Sequence, residues 1–213
     1  MAVAAKSLAA PVARPYPRRV TARQVSSQAG PAHPRIRRQG LDPADSSVVR
    51  DLTVRAFGAD EGPVVADLVE ALQASDAYGG LSFVAERGGG PVGHTMLTRS
   101  WVDAAAALVD VLVLSPLSVA PEHQGSGIGR ALVAEAIAAA DAEGWPAVFL
   151  EGDPGYYGRL GFERASERGF SRPSVRIPDA AFQVVTLTAH QPWMAGALVY
   201  ADRFWAFDCV GLR

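Results

Sequence analysis

The chain of 213 residues, 49% hydrophobic and 20% charged, is long enough to bury the core of one ordinary globular domain with a tail to spare. Its net charge of −2 is unevenly spread: residues 1–40 hold eight basic side chains (Lys6, Arg14, Arg18, Arg19, Arg23, Arg35, Arg37 and Arg38) and no acid, which leaves twelve basic against twenty-two acidic groups in the remainder. An acidic body argues against nucleic acid as the main partner, a single cysteine (Cys209) excludes an intramolecular disulfide framework, and no apolar run approaches the roughly 20 residues of a membrane-spanning helix.

Residues 1–33 read as a disordered, basic, Pro/Arg-rich extension. The stretch PVARPYPRRVTARQVSSQAGPAHPRIRR lacks apolar periodicity and is broken by Pro11, Pro15, Pro17, Pro31 and Pro34. Its acid-free, Arg- and Ser-containing composition is also that of an organelle transit peptide, one alternative reading of this segment, a wrongly chosen start codon being the other. With cysteine usage suited to a reducing compartment, the body is expected in the cytoplasm.

The domain is expected over residues 34–213. PRIRRQG is a short first strand, followed by a helix over LDPADSSVVRDLTVRAFG, with Asp42 as N-cap, Pro43 in the first turn, and Val48, Val49, Leu52 and Phe57 at helical spacing. EGPVVADLVEALQASDAY repeats the pattern with Val65, Leu68, Val69 and Leu72 on one face. LSFVAER and PVGHTMLTRSWV form a hairpin around the glycines at 88–90.

ALVDVLVLSPLSVAP is apolar on both alternating sets and is expected to be buried on both faces at the sheet centre. Pro116 cannot donate a ladder hydrogen bond, so it belongs at a bulge or an edge. The backbone of Leu117, Ser118 and Val119 should then lie beside a gap and seek other partners. A helix over 127–143, stopped by Gly144, and the strand PAVFL complete a parallel βαβ unit. PGYYGRLGFERA reads as a short helix ending at Gly161, and AFQVVTLT and GALVYADRFWAF as late strands. Together these elements predict an α/β fold with a mixed, mostly antiparallel sheet and one parallel crossover.

Glycines 125, 127 and 129 stand where that helix begins. They allow positive φ and close approach to backbone N–H groups, and the helix N-terminus adds partial positive charge, a combination suited to a phosphate or pyrophosphate. A Walker loop is absent, since Lys6 is the one lysine. A dinucleotide fingerprint starting at Gly125 would need a third glycine at 130, where Arg130 stands.

What remains is Gln124-x-x-Gly127-x-Gly129 after a strand ending in LSVAP. PEHQGSGIGRALV resembles the pyrophosphate-binding motif of the GCN5-related N-acetyltransferase family, and GDPGYYGRLGF resembles the Tyr-x-x-x-Gly-Phe close of its YhbS-like subgroup. The resemblance covers roughly residues 108–165. It implies the acyl-CoA N-acyltransferase fold with a splayed central strand pair, acetyl-CoA as co-substrate, no metal, and a small-molecule or peptide amine as acceptor. A homodimer would be in keeping with it, and no nucleic acid or membrane is implied as partner.

The cofactor contacts implied are Leu117, Ser118 and Val119 for the pantetheine arm and Gln124, Gly125, Ser126, Gly127, Ile128, Gly129 and Arg130 for the pyrophosphate. Tyr157, four residues before Gly161, matches the tyrosine that protonates the departing sulfur, with packing against the cofactor as the alternative. Glu151 is a candidate base; Asp153, before Pro154, reads as a turn-former. Glu122 and His123 flank the glycine turn, His123 as a packing residue. Asp110, in an apolar strand, is either paired or near the gap. Trp101, Trp193, Phe204, Trp205 and Phe207 are core or acceptor-pocket residues, and His33, His94 and His190 show no metal-ligand spacing. The expected activity is acetyl transfer from acetyl-CoA to a primary amine by direct attack. The alternative is a silent acyl-CoA-binding or sensor domain on the same fold; a Rossmann-type nucleotide-binding domain is a weaker third reading.

Overall fold

The computed structural model describes residues 34–40 and 43–211. The expected N-terminal extension, His33 and the Asp42 N-cap lie outside the described residues.

The chain runs β1 (Arg35–Arg38), α1 (Pro43–Gln73), β2 (Tyr78–Arg87), β3 (Gly90–Ala104), β4 (Leu108–Val119), α2 (Ile128–Ala142), β5 (Ala147–Glu151), α3 (Pro154–Tyr157), β6 (Glu163–Arg164), β7 (Phe182–Thr186), β8 (Gly196–Val199) and α4 (Asp202–Ala206). One sheet holds all eight strands in the order β1-β2-β3-β4-β5-β7-β6, with β8 added to the far end of β3. Among the paired strands of the described residues only β4 and β5 run parallel, joined by α2, so the mixed, mostly antiparallel sheet with one crossover is observed.

Gly58, at φ 81° and ψ 179°, breaks α1 into the two helices read from the sequence. The halves meet so closely that a Cβ on Gly62 would stand 2.5 Å from the Val54 carbonyl oxygen. Arg37 ties β1 to this unit, its guanidinium donating to both Asp45 oxygens at 2.7 Å and to Glu86 at 2.6 Å.

The sheet buries both faces. On one face Val49 and Leu72 of α1 pack with Met96, Val113, Phe149 and Phe182; on the other Leu132 of α2 packs with Leu81, Leu97, Leu112, Val148 and Phe162. Val148 and Phe149 thus point to opposite faces, as the two-residue period of a strand requires. α2 lies close against β3 because Gly93 has no side chain: a Cβ there would meet Ile128 Cγ2 at 2.8 Å and Leu132 Cδ1 at 2.9 Å.

Two expectations are corrected. β4 is not buried along its whole length: Leu108 is 61% exposed and Asp110 is exposed, because this end of the strand extends beyond the helical cover. Asp110 is ion-paired there with Arg99, away from the β4–β5 opening. Nor is GALVYADRFWAF one strand. It leaves the sheet after Val199 and coils into α4, because the Ala201 N–H is taken by Ser100 Oγ and the inward rings of Tyr200 and Phe204 sit at helical spacing, 5.0 Å apart.

Candidate active site

Pro116 lies at a β-bulge. Thr95 faces Leu117 and Leu97 faces Leu114, so one residue of β3 opposes the two residues Ser115 and Pro116 of β4. Such a bulge bends the strand that carries it. β4 and β5 are in register only at Leu112–Val148 and Val113–Phe149; beyond these pairs the two strands are no longer paired, and this unpaired stretch is the β4–β5 opening.

The last residues of β4 are half paired. The ladder to β3 continues through Thr95–Leu117, His94–Ser118 and Gly93–Val119, and the Ala120 N–H donates to the Val92 carbonyl at 3.0 Å. The backbone groups of Ser118 and Ala120 therefore point to β3, and by alternation those of Leu117 and Val119 point into the opening. The Ser118 hydroxyl turns under α1 and donates to Thr53 Oγ1 at 3.4 Å.

After a single 3₁₀ turn over Pro121–His123 the chain reaches the glycine turn. Gly125 (φ 71°) and Gly127 (φ 84°) are left-handed, and Gly127 is the N-cap of α2. The Gln124 N–H donates to the Pro121 carbonyl, and the Gln124 side chain donates to the Val119 carbonyl at 3.2 Å, fastening the turn to the strand. From Gly125 to Arg130 no backbone N–H has a hydrogen-bond partner among the described residues. That run of donors, in the exposed turn and first turn of a fifteen-residue helix, fits a phosphate-bearing ligand.

Gly129 is needed for a different reason from Gly127. Its φ is ordinary, but a Cβ would stand 2.6 Å from the Tyr156 hydroxyl, with Leu117 and Val119 side chains just beyond. Gly129 thus brings α2 against α3 across the end of the opening. Arg87, which sequence reasoning did not single out, reaches this turn from the end of β2, its guanidinium 3.4 Å from Ser126 Oγ.

Asp153 caps α3, accepting from the Gly155 N–H at 2.8 Å, as a turn-former should. The cap directs the Tyr157 ring back across Gly152, where a Cβ would overlap it at 2.3 Å. The ring packs edge-on against Tyr156 and Phe162 on the α2 face, and its hydroxyl has no hydrogen-bond partner among the described residues. Burial pushes the Tyr157 hydroxyl well above the ordinary tyrosine range, and Tyr156 adds to this, so the phenol stays protonated.

Glu151 ends β5 with the side-chain direction of Ala147 and Phe149, toward the α1 and C-terminal face. Its Oε1 accepts from the Tyr200 hydroxyl at 2.8 Å and its Oε2 from the Gly211 N–H at 3.0 Å. Burial raises the carboxyl pKa, while these two donors and the charge of Arg176 oppose the rise. Tyr200 lies 49 residues from Glu151 in the chain, and no local signal in the sequence marked it.

The other candidates stand apart. Glu122 pairs with Arg55. Trp193 and Trp205 are 44% and 43% exposed, whereas Phe204 is buried. His94 is buried beneath α1 and bonded through Nε2 to Ser82 Oγ at 2.8 Å. Cys209 is half-buried near the C-terminal end. No helix among the described residues is long and apolar enough to cross a membrane.

Residues 79–164 match the model of the acetyltransferase (GNAT) domain. The uncharacterized N-acetyltransferase YjhQ of Escherichia coli is 35% identical over 166 residues, spanning 76% of this chain and 90% of that protein. Uncharacterized N-acetyltransferase YhbS of the same species is 33% identical over 146 residues, spanning 67% and 81%. Among solved structures, E. coli YhbS in complex with CoA superposes with a TM-score of 0.71 at 27% identity, covering 85% of this chain and 96% of that one. A GNAT family acetyltransferase from Brucella melitensis in complex with acetyl-CoA gives 0.62 at 30% identity, covering 81% and 99%.

Proposed function

The chain belongs to the GCN5-related N-acetyltransferase family, and from that premise we propose that residues 34–213 form a domain that moves the acetyl group of acetyl-CoA to a primary amine by direct attack in a ternary complex. The observation that carries the reading is the β4–β5 opening ending at a run of free N–H groups from Gly125 to Arg130. Relatives of the same fold that hold CoA or acetyl-CoA support it.

When bound, the thioester supplies an activated acyl group. The remaining chemistry belongs to the chain. Amides of the glycine turn donate to a diphosphate, helped by the positive end of α2 and by Arg87 and Arg130. Leu117 and Val119 offer strand-like backbone partners along the opening to an amide-bearing arm. Tyr157, held protonated by burial, donates to the departing sulfur. Glu151, on the other face, accepts the proton that the ammonium form of the acceptor must lose before it attacks. The new N–C bond then forms as the S–C bond breaks; the first amine proton stays on Glu151, and the second, shed by the nitrogen after attack, returns through solvent to the Tyr157 oxygen that protonated the sulfur. The acidic body favours a cationic amine through electrostatic steering.

A thermal-shift titration of the full chain with acetyl-CoA, with NAD as control, tests the binding site. Ligand at about 100 times its Kd should add roughly 2.7 kcal/mol of stability. Release of free CoA thiol in the presence of spermidine, lysine amide or a peptide with a free N-terminus then tests transfer. Stabilisation by NAD instead of acetyl-CoA would overturn the reading. Binding without turnover across these amines would favour the silent CoA-binding alternative.

A further inference from the structure

Glu151, at the end of β5, is held at both ends of its carboxylate. Its two oxygens are each engaged by a separate donor, and neither donor comes from the βαβ unit. Tyr200 is buried, and its position is fixed from three sides. β8 is in register with β3 through Val199–Trp101, the next amide (Ala201) is bonded to Ser100 Oγ at 3.3 Å, and the ring packs against Phe204. The phenol is therefore presented to Glu151 by the sheet itself.

We propose that Tyr200 is a positioning residue, which orients the Glu151 carboxylate toward the opening and sets how readily it takes a proton. The proposal deepens the reading of Glu151 as the base and rests on it. A base that works from its ionised form must be kept ionised inside the protein, where burial favours the neutral acid. Among the described residues, the charged and titratable groups that act on Glu151 are Tyr200, from the segment after β8, and Arg176, from the loop before β7, itself paired with Asp208. Of these, Tyr200 alone makes a direct hydrogen bond, and its own raised pKa keeps it a donor throughout the working pH range.

Removing the phenol while keeping the ring isolates this role. In full-length protein carrying carboxyl-labelled glutamate, with the Glu151 signal assigned by its loss in Glu151→Gln, Tyr200→Phe should move the Glu151 titration midpoint to higher pH. The acid limb of the pH–rate profile with whichever of spermidine, lysine amide or free-N-terminus peptide turns over should move with it. A roughly tenfold fall in kcat/KM on that limb is expected from losing one hydrogen bond to a charged group. Should Tyr200→Phe fail to fold, fluorotyrosine at position 200, a stronger donor, should move the midpoint to lower pH instead. An unchanged midpoint in either variant overturns the proposal. Full transfer activity in Glu151→Gln, with the midpoint still shifting in Tyr200→Phe, would instead remove the base reading and the positioning role with it.

Discussion

Glu151 and Tyr157 meet the end of the β4–β5 opening from opposite faces of the sheet: Glu151 is bonded to Tyr200 beneath the C-terminal segment, while the Tyr157 ring packs against Phe162 on the α2 side. The two groups are not an acid–base pair that shares a proton. In the proposed reaction each serves one end of the transfer, and this separation lets their protonation be set by independent surroundings.

Tyr157→Phe should lower kcat by roughly 100-fold or more, the usual contribution of a positioned acid, while the affinity for acetyl-CoA stays within about threefold. Steady-state kinetics and calorimetric titration read the two quantities separately. Unaltered kcat would leave Tyr157 as a packing residue against Gly152.

Gly127→Ala places a Cβ on a residue at φ 84° with no neighbour within 4 Å, so the penalty is conformational and not steric. A loss of about 1–2 kcal/mol is expected, seen as a Tm lower by a few degrees. Acetyl-CoA stabilisation should shrink as well, because the turn must keep its donors aligned. A variant with wild-type Tm and ligand response would show that left-handed geometry at this cap is dispensable.

Gly93→Ala tests the seating of α2. The new methyl would press on Ile128 Cγ2 and Leu132 Cδ1 at less than 3.0 Å and on the Ser118 carbonyl oxygen at 3.3 Å. Overpacking of this kind destabilises by about 1–3 kcal/mol, measurable in urea denaturation. Shortening Ile128 to Val in the same chain should recover part of the loss.

His94 makes stability depend on pH. Burial depresses its pKa from 6.5 to about 3. The Ser82 hydroxyl spends its proton on Gln39 Oε1, so His94 Nε2 must donate to Ser82, and the ring is neutral. The unfolded chain therefore binds a proton that the folded chain refuses, and stability falls as pH drops from about 6.5 toward about 3. The raised carboxyl of Glu151 acts in the opposite direction, so the comparison must be made against a His94 variant. Between pH 7 and pH 5, wild type should lose about 2 kcal/mol more than His94→Gln in urea unfolding. Equal losses would show that the imidazole takes up a proton without unfolding.

The parts of the fold readable from sequence are those written in short-range spacing. The hairpin glycines, the Gly144 stop and the 124–129 turn each depend on residues within one turn of chain, and each is found where the spacing put it. The orientation of β4 was not readable. Its bulge shifts the alternation by one, so that Leu112 and Leu114 before it, and Leu117 and Val119 after it, all join the α2 face. Val111 and Val113 join the opposite face, so the strand is apolar on both sides as its sequence reads, and only the shift at the bulge was hidden. The partners of Glu151 were hidden for another reason: Tyr200 and Gly211 arrive from a segment whose path depends on pairing with β3, and nothing local in YADRFWAF signals that it returns to the end of β5.

The bulge at Ser115–Pro116 also says how little separates this molecule from one without an opening. A strand of strict count would have carried its ladder with β5 past Val113 and sealed the sheet into an uninterrupted wall. Here the surplus is a single amino acid, one codon, placed where proline's missing N–H makes regular pairing unavailable. Deleting Pro116 should therefore yield a protein that folds with the same core but has its cleft stitched shut, an architecture preserved and a binding slot erased.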